Sequence, residues 1–208
     1  MPLRVLVADD HELFRSGLRQ LLLDNLEDVE VTEAKTLDEA IELLTTNGAG
    51  DLVLVDLRMP GMSGAEALAA LRDGFPDSKV AVVSGLEDRG EILAALAAGV
   101  HGYIPKSLSG SEIAEAIKGI LDGKIFVPSA IGKREPGATV DASSSQGSDK
   151  LTTRQKEVLG ELLKGRSSKE IARTLDIAEG TVKIHLAAIY RAIGVRTRAE
   201  AIAKLKSH

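Results

Sequence analysis

Over the first 125 residues, short apolar runs alternate with longer segments whose apolar positions recur every three to four residues. The runs lie at 5–8, 29–31, 52–55, 80–83 and 103–104. Four of them are near-continuous and rich in β-branched residues, the signature of strands buried on both faces of a parallel sheet. The intervening segments predict helices at about 12–24, 37–46, 64–72, 88–98 and 110–121. Thr36 with Glu39 and Ser109 with Glu112 form capping-box patterns at two of their starts. Five strand–helix units of this size predict an α/β domain with a doubly wound, five-stranded parallel sheet. Sites in such sheets lie beyond the carboxyl ends of the strands.

After residue 150 the strand-like runs cease. Thr152 with Gln155, Ser167 with Glu170 and Thr197 with Glu200 each open a periodic segment, predicting an all-α unit with helices at about 153–164, 168–175, 180–193 and 198–206. Between the two lies IGKREPGATVDASSSQGSDK (131–150), rich in Ser, Gly and Pro and without period, as expected of a flexible linker. The expected division is 1–125, a linker over 126–149, and 150–208.

Charge sharpens that division. The chain of 208 residues has a net charge of −5, which taken alone argues against a nucleic-acid partner. Residues 1–128 hold 11 Lys+Arg against 22 Asp+Glu, whereas residues 150–208 hold 13 against 6. An acidic front is thus joined to a basic back, and the two are expected to meet different partners. Without cysteine, disulfides and thiol chemistry are excluded, and a reducing compartment is expected. Two Tyr, three Phe and no Trp leave too few rings for a base-stacking platform. No apolar run approaches the roughly 20 residues of a membrane span, and the N-terminus turns acidic too early for a signal peptide, so the expected location is cytoplasmic.

Candidate chemistry sits at the strand ends. Asp9 and Asp10 follow the first strand and Asp56 ends the third, so the sheet brings three carboxylates together. Their mutual repulsion calls for a divalent cation with oxygen ligands or for a lysine. Mg2+ suits the first role, and Lys106, after the fifth strand, suits the second. Ser84, ending the fourth strand, adds a hydroxyl. A single such residue reads equally well as a solvated loop position, but the combination makes a site that accepts a phosphoryl group.

With VLVADD (5–10), LVLVDLRMPGMSG (52–64), VAVVSG (80–85) and GYIPK (102–106), residues 1–125 resemble the receiver domain of bacterial two-component response regulators, whose fold is flavodoxin-like. The resemblance implies that Asp56 is the phosphoacceptor. It makes Asp9 and Asp10 ligands of Mg2+, with Asp56 and the backbone carbonyl of Arg58 completing the site. It implies switch roles for Ser84, Tyr103 and Lys106, although a tyrosine here also reads as simple packing. Gly85 and Ser107 depart from the commoner family choices, and Gly85 leaves more room beside a phosphate. Pro60 and Gly61 keep the loop after Asp56 out of helix.

The segment 167–195 reads as helix, short turn at 176–178, and second helix. Ile171, Ala172, Leu175, Val182, Leu186, Ile189 and Ile193 fall on core-facing positions. Lys183, His185 and Arg191 lie on the remaining face, with Ala187 and Ala188 between, a surface able to enter a major groove. With LTTRQKEVL, KEIARTLDIAEGTVKIH and IGVRTRAEAI, residues 151–205 resemble the four-helix DNA-binding domain of the LuxR/NarL/FixJ class. Position by position, the resemblance implies groove or base contacts from Lys183, Ile184 and Ala187. Thr181, Lys183 and His185 would help to hold the backbone, and Arg191, on the same outward face, is expected at a phosphate. Ala192 stands where the class usually has a lysine, removing one phosphate contact. The last helix would supply a dimer contact on inverted half-sites.

The expected function is therefore a transcriptional response regulator. A histidine kinase or phosphotransfer protein phosphorylates Asp56, which controls homodimerisation and binding to double-stranded promoter DNA. At −11 and +7, front and back attract, so the unphosphorylated front is expected to mask the recognition helix. No enzymatic turnover is expected beyond slow self-phosphorylation and self-dephosphorylation. A phosphatase using an aspartyl phosphate would need a second acid two residues after the nucleophile, where this chain has Arg58. The alternative is a phosphate-independent regulator whose front domain only dimerises.

Overall fold

The structure is a computed structural model that describes residues 2–48, 50–128, 151–195 and 197–206. The front unit runs β1 (Leu3–Ala8), α1 (Glu12–Asn25), β2 (Val29–Ala34), α2 (Leu37–Thr46), β3 (Leu52–Val55), α3 (Gly64–Gly74), β4 (Lys79–Ser84), α4 (Arg89–Ala97), β5 (Gly102–Pro105) and α5 (Gly110–Leu121). The back unit comprises α6 (Thr153–Leu163), α7 (Ser168–Leu175), α8 (Glu179–Ile193) and α9 (Arg198–Lys206). Most of the expected linker, from residue 129 on, lies outside the described residues. Phe126 still bridges to Gly102, and its carbonyl accepts from the Tyr103 amide at 2.9 Å, so the chain stays attached to the sheet just beyond residue 125.

All strands pair in parallel in the order β2-β1-β3-β4-β5. The continuous apolar runs serve two faces, because successive strand residues point to opposite sides. Leu6, Ala8, Val53, Val55, Val80, Val82 and Tyr103 pack under α2, α3 and α4. Val5, Val7, Leu52, Leu54, Ala81, Val83 and Ile104 pack under α1 and α5. The chain winds outward in opposite directions from β1 and β3, which leaves a crevice beyond their carboxyl ends. Asp9 and Asp56 emerge at that crevice.

The back unit closes on Val158, Leu162, Ile171, Ala172, Val182, Leu186, Ile189 and Ala201. Full capping boxes start α6 at Thr152 and Gln155 and α7 at Ser167 and Glu170. Asp176 takes a left-handed conformation (φ 52°), a conformation that Asp tolerates better than most residues. It ends α7 and turns the chain into α8. Among the described residues no helix is long and apolar enough to cross a membrane.

Candidate phosphoacceptor site and recognition helix

Backbone pairing places the acidic residues. The Asp9 amide donates to the Ala34 carbonyl at 3.0 Å, and the Asp56 amide donates to the Ala8 carbonyl at 2.8 Å. Both carboxylates are buried, at 1% and 2% exposure, whereas Asp10 is exposed. Lys106 is delivered by β5, its amide donating to the Ser84 carbonyl at 2.8 Å. Its Nζ lies 2.6 Å from Asp9 Oδ2 and 3.2 Å from Asp56 Oδ2, and 4.6 Å from the centre of the Phe14 ring. A buried carboxylate pair needs such a counter-charge, since isolated burial of either ion is costly. The structure thus brings Asp9, Asp10, Asp56 and Lys106 together, as the sequence pattern implies.

One acceptor in this cluster is unused. Asp56 Oδ1 is buried and has no hydrogen-bond partner, while Asp56 Oδ2 faces Lys106. The donor set also fits a hard divalent cation: Asp9, Asp10 and Asp56 offer oxygens that lie within 4.8 Å of one another.

Two residues that carried no site reading in the sequence support the cluster. Arg15, buried on α1, donates from its guanidinium to the Asp9 carbonyl at 2.7 Å and from Nε to Glu33 at 2.9 Å. His11 donates its amide to Asp9 Oδ1 at 2.9 Å, and its Nδ1 lies 2.9 Å from Asp10 Oδ1. An arginine one helical turn after an acidic strand end was the available signal for the first.

Ser84 and Tyr103 do not reach into the acidic cluster in this conformation. Ser84 Oγ accepts from the Leu86 amide at 3.2 Å, and the Tyr103 hydroxyl donates to the Leu86 carbonyl at 2.8 Å. Both therefore clamp the β4–α4 loop. Tyr103 is fully buried, and that burial raises its phenol above the ordinary value, with Glu91, Asp56 and Asp88 adding to the effect. The Arg58 side chain is exposed and points toward Glu91, 3.9 Å away. In the loop between Asp56 and α3, Gly61 has φ +88°, and a Cβ there would press on Leu37 at 3.1 Å. Pro60 presents its carbonyl to the Leu37 amide at 3.0 Å.

The second candidate site is α8, and here the structure adds what composition only suggested. The face expected to look outward is packed on α2 and α3 of the front unit. Ile184 and Ala187 join the front unit's apolar cluster with Leu37, Leu71 and Phe75. Polar contacts ring them. Lys183 Nζ lies 2.6 Å from Asp38, which raises its pKa, and Thr181 Oγ1 lies 3.2 Å from Ser63 Oγ. Arg191 donates to the Gly74 carbonyl at the C-terminal end of α3 and stacks on Phe75, its centre 4.9 Å away. Arg154 reaches Glu66 at 3.4 Å. His185, at 4% exposure, has a buried Nδ1 without a partner, and desolvation lowers its pKa, with Arg154 adding to the effect. Gly180 sits directly on the Gly61 carbonyl. Of the six side chains expected at DNA, Thr181, Ile184, His185 and Ala187 are buried, Lys183 is half-buried and Arg191 stays exposed while holding the Gly74 carbonyl.

Comparison with known proteins agrees with both halves. Residues 5–118 match the family described as the response regulator receiver domain, and residues 149–205 match the bacterial regulatory proteins of the luxR family. The chain is 38% identical over 205 residues to the glycerol metabolism activator of Pseudomonas putida, covering 96% of this chain and 93% of that protein. It is 37% identical over 206 residues to the nitrate/nitrite response regulator NarP of Escherichia coli, covering 96% and 93%. Among solved structures it is similar to a LuxR-family DNA-binding response regulator from Silicibacter pomeroyi. There the identity is 35% and the TM-score 0.54, over 60% of this chain and 96% of that one.

Proposed function

The chain belongs to the DNA-binding transcriptional response regulators that join a receiver domain to a LuxR-type domain, and from that premise we propose that Asp56 accepts the phosphoryl group. The observation that carries this is Asp56 Oδ1, a buried carboxylate oxygen with no partner beside one already neutralised by Lys106. In the transfer, the P–N bond of a phosphohistidine on the partner kinase breaks. A P–O bond to Asp56 forms, and the imidazole leaves with the electron pair. Asp9, Asp10, Asp56 and the Arg58 carbonyl would hold Mg2+, which when bound offsets negative charge at the oxygens around the transfer. Lys106 offsets charge at Asp9 Oδ2 and Asp56 Oδ2, which it already holds. No other turnover is assigned to the site beyond slow self-phosphorylation and self-dephosphorylation.

The covered α8 face supports control by mutual exclusion. Thr181, Lys183, Ile184, His185, Ala187 and Arg191 can meet the receiver or a major groove, but not both. Phosphorylation then shifts the population toward separated units that dimerise, with α9 as the contact, on inverted promoter half-sites. Asp56→Asn tests the acceptor: acetyl phosphate should add one phosphoryl mass to the wild type and none to the variant. The same reagent should raise promoter affinity of the wild type alone. A variant that still gains affinity with the phosphodonor would show that the acceptor lies elsewhere.

A further inference from the structure

The Lys106 ammonium has a partner that is not an acid. Beside Asp9 Oδ2 at 2.6 Å and Asp56 Oδ2 at 3.2 Å, its Nζ stands 4.6 Å from the centre of the Phe14 ring. Phe14 is the third residue of α1, and its half-buried ring packs against the apolar cluster under α1 and α5. The lysine side chain is only 15% exposed, so the ring meets a cation largely stripped of water, the setting in which a ring face attracts an ammonium most strongly. The two oxygens of Asp56 are thereby unequal. Oδ2 is engaged by the ammonium, whereas Oδ1 is buried and without a partner. A lysine on its long flexible stem could pair with either oxygen, and the ring is what favours one of them.

We propose that Phe14 is a positioning residue for phosphoryl acceptance: its ring face holds Lys106 on Asp9 Oδ2 and Asp56 Oδ2, and so keeps Asp56 Oδ1 free to attack. The proposal rests on reading Asp56 as the phosphoacceptor. With acetyl phosphate as donor, a lone pair on Asp56 Oδ1 forms the new P–O bond. The P–O bond to the acetyl group breaks, and acetate leaves with the electron pair. An oxygen already paired with an ammonium is the poorer nucleophile, so a lysine released from the ring to roam over both oxygens slows the step. Phe14 acts through Lys106 alone.

The test uses the full chain with Phe14 replaced by phenylalanine carrying ring fluorines in increasing number. Fluorine drains the negative face of the ring while nearly keeping its shape. The rate of phosphoryl uptake from acetyl phosphate with Mg2+ should fall in step with the fluorine count, by about tenfold at the end of the series. Phe14→Leu, apolar but without a ring, should fall as far, and Phe14→Tyr should stay within about twofold of the wild type. A second readout needs neither Mg2+ nor phosphodonor. The Lys106 ammonium protons should resonate upfield in the wild type, shielded by the ring, and lose that displacement in Phe14→Leu. A rate that stays level across the fluorine series would overturn the role of Phe14 and leave the acceptor standing. So would a fall in Phe14→Leu alone, which marks the ring as packing, or an undisplaced ammonium in the wild type. If the wild type takes up no more phosphoryl group than Asp56→Asn, the acceptor reading falls, and this proposal with it.

Discussion

Removing the Lys106 ammonium would leave Asp9 and Asp56, both almost wholly buried, facing each other without a counter-charge. Breaking a buried ion pair by deleting one partner costs about 3–5 kcal/mol, because the stranded charge keeps its desolvation penalty. Lys106→Met should therefore lower the midpoint of denaturant unfolding of the front unit without changing its slope. Millimolar Mg2+ should recover part of the loss, and should stabilise the variant more than the wild type, because the cation binds the folded site more tightly once no lysine charge opposes it. A midpoint unchanged by the substitution would show that the carboxylates do not depend on Lys106. These carboxylates and the lysine were legible in the sequence because strand ends of a parallel sheet converge by topology alone. His11 gave no such signal and Arg15 only its place one helical turn into α1, since a residue's reach around a helix start depends on rotamer and packing that spacing does not encode.

The helices were legible where their ends carry chemistry: Ser109, Thr152 and Ser167 form the capping boxes their sequences imply. The partner of α8 was harder to read. Ile184, Ala187 and Ala188 make a small, apolar face that fits a groove and a protein surface equally well, so pattern alone does not choose between them. One consequence of the protein partner concerns His185. Packed between α3 and the rest of the back unit, it feels Arg154 from α6 and Asp73 from α3, and desolvation holds its pKa below 6.5. If the receiver supplies part of that cover, separating the units should let the imidazole return toward its ordinary value of 6.5. As the pH falls through that value, the separated form takes up a proton that the packed form resists, so acidification weakens the packed form by up to about tenfold per pH unit. Above it both forms are neutral and the effect disappears. Energy transfer between one dye on each unit should fall from about pH 7.5 to about pH 5.5 in the unphosphorylated wild type. In His185→Phe the signal should stay flat across that range, and a parallel decline in the variant would assign the opening to another group.

At the scale of the whole molecule, the acidic receiver and basic reader are held by contacts of unequal strength. Lys183–Asp38 is a partly exposed ion pair, and such pairs contribute about 0–1 kcal/mol. Asp38 lies on the receiver, away from any DNA contact, so Asp38→Ala should raise promoter affinity of the unphosphorylated protein by no more than about fivefold. Gly180 is a stronger lever. An added Cβ there would run into the Gly61 carbonyl oxygen and come 3.0 Å from Leu37 Cδ2, and backbone cannot yield as a flexible side chain can. Within α8 itself the same change is tolerated, since Gly180 is the second residue of the helix and has no left-handed backbone that would require glycine. Gly180→Ala should therefore keep the back unit folded while forcing it off the receiver. Without a phosphodonor it should bind the promoter as tightly as the phosphorylated wild type, and acetyl phosphate should add little. Opening also frees Lys183 and Arg191 for phosphates, so its affinity should fall steeply with salt. If Gly180→Ala and Asp38→Ala both bind as weakly as the unphosphorylated wild type, the packing of α8 on α2 and α3 does not gate DNA binding.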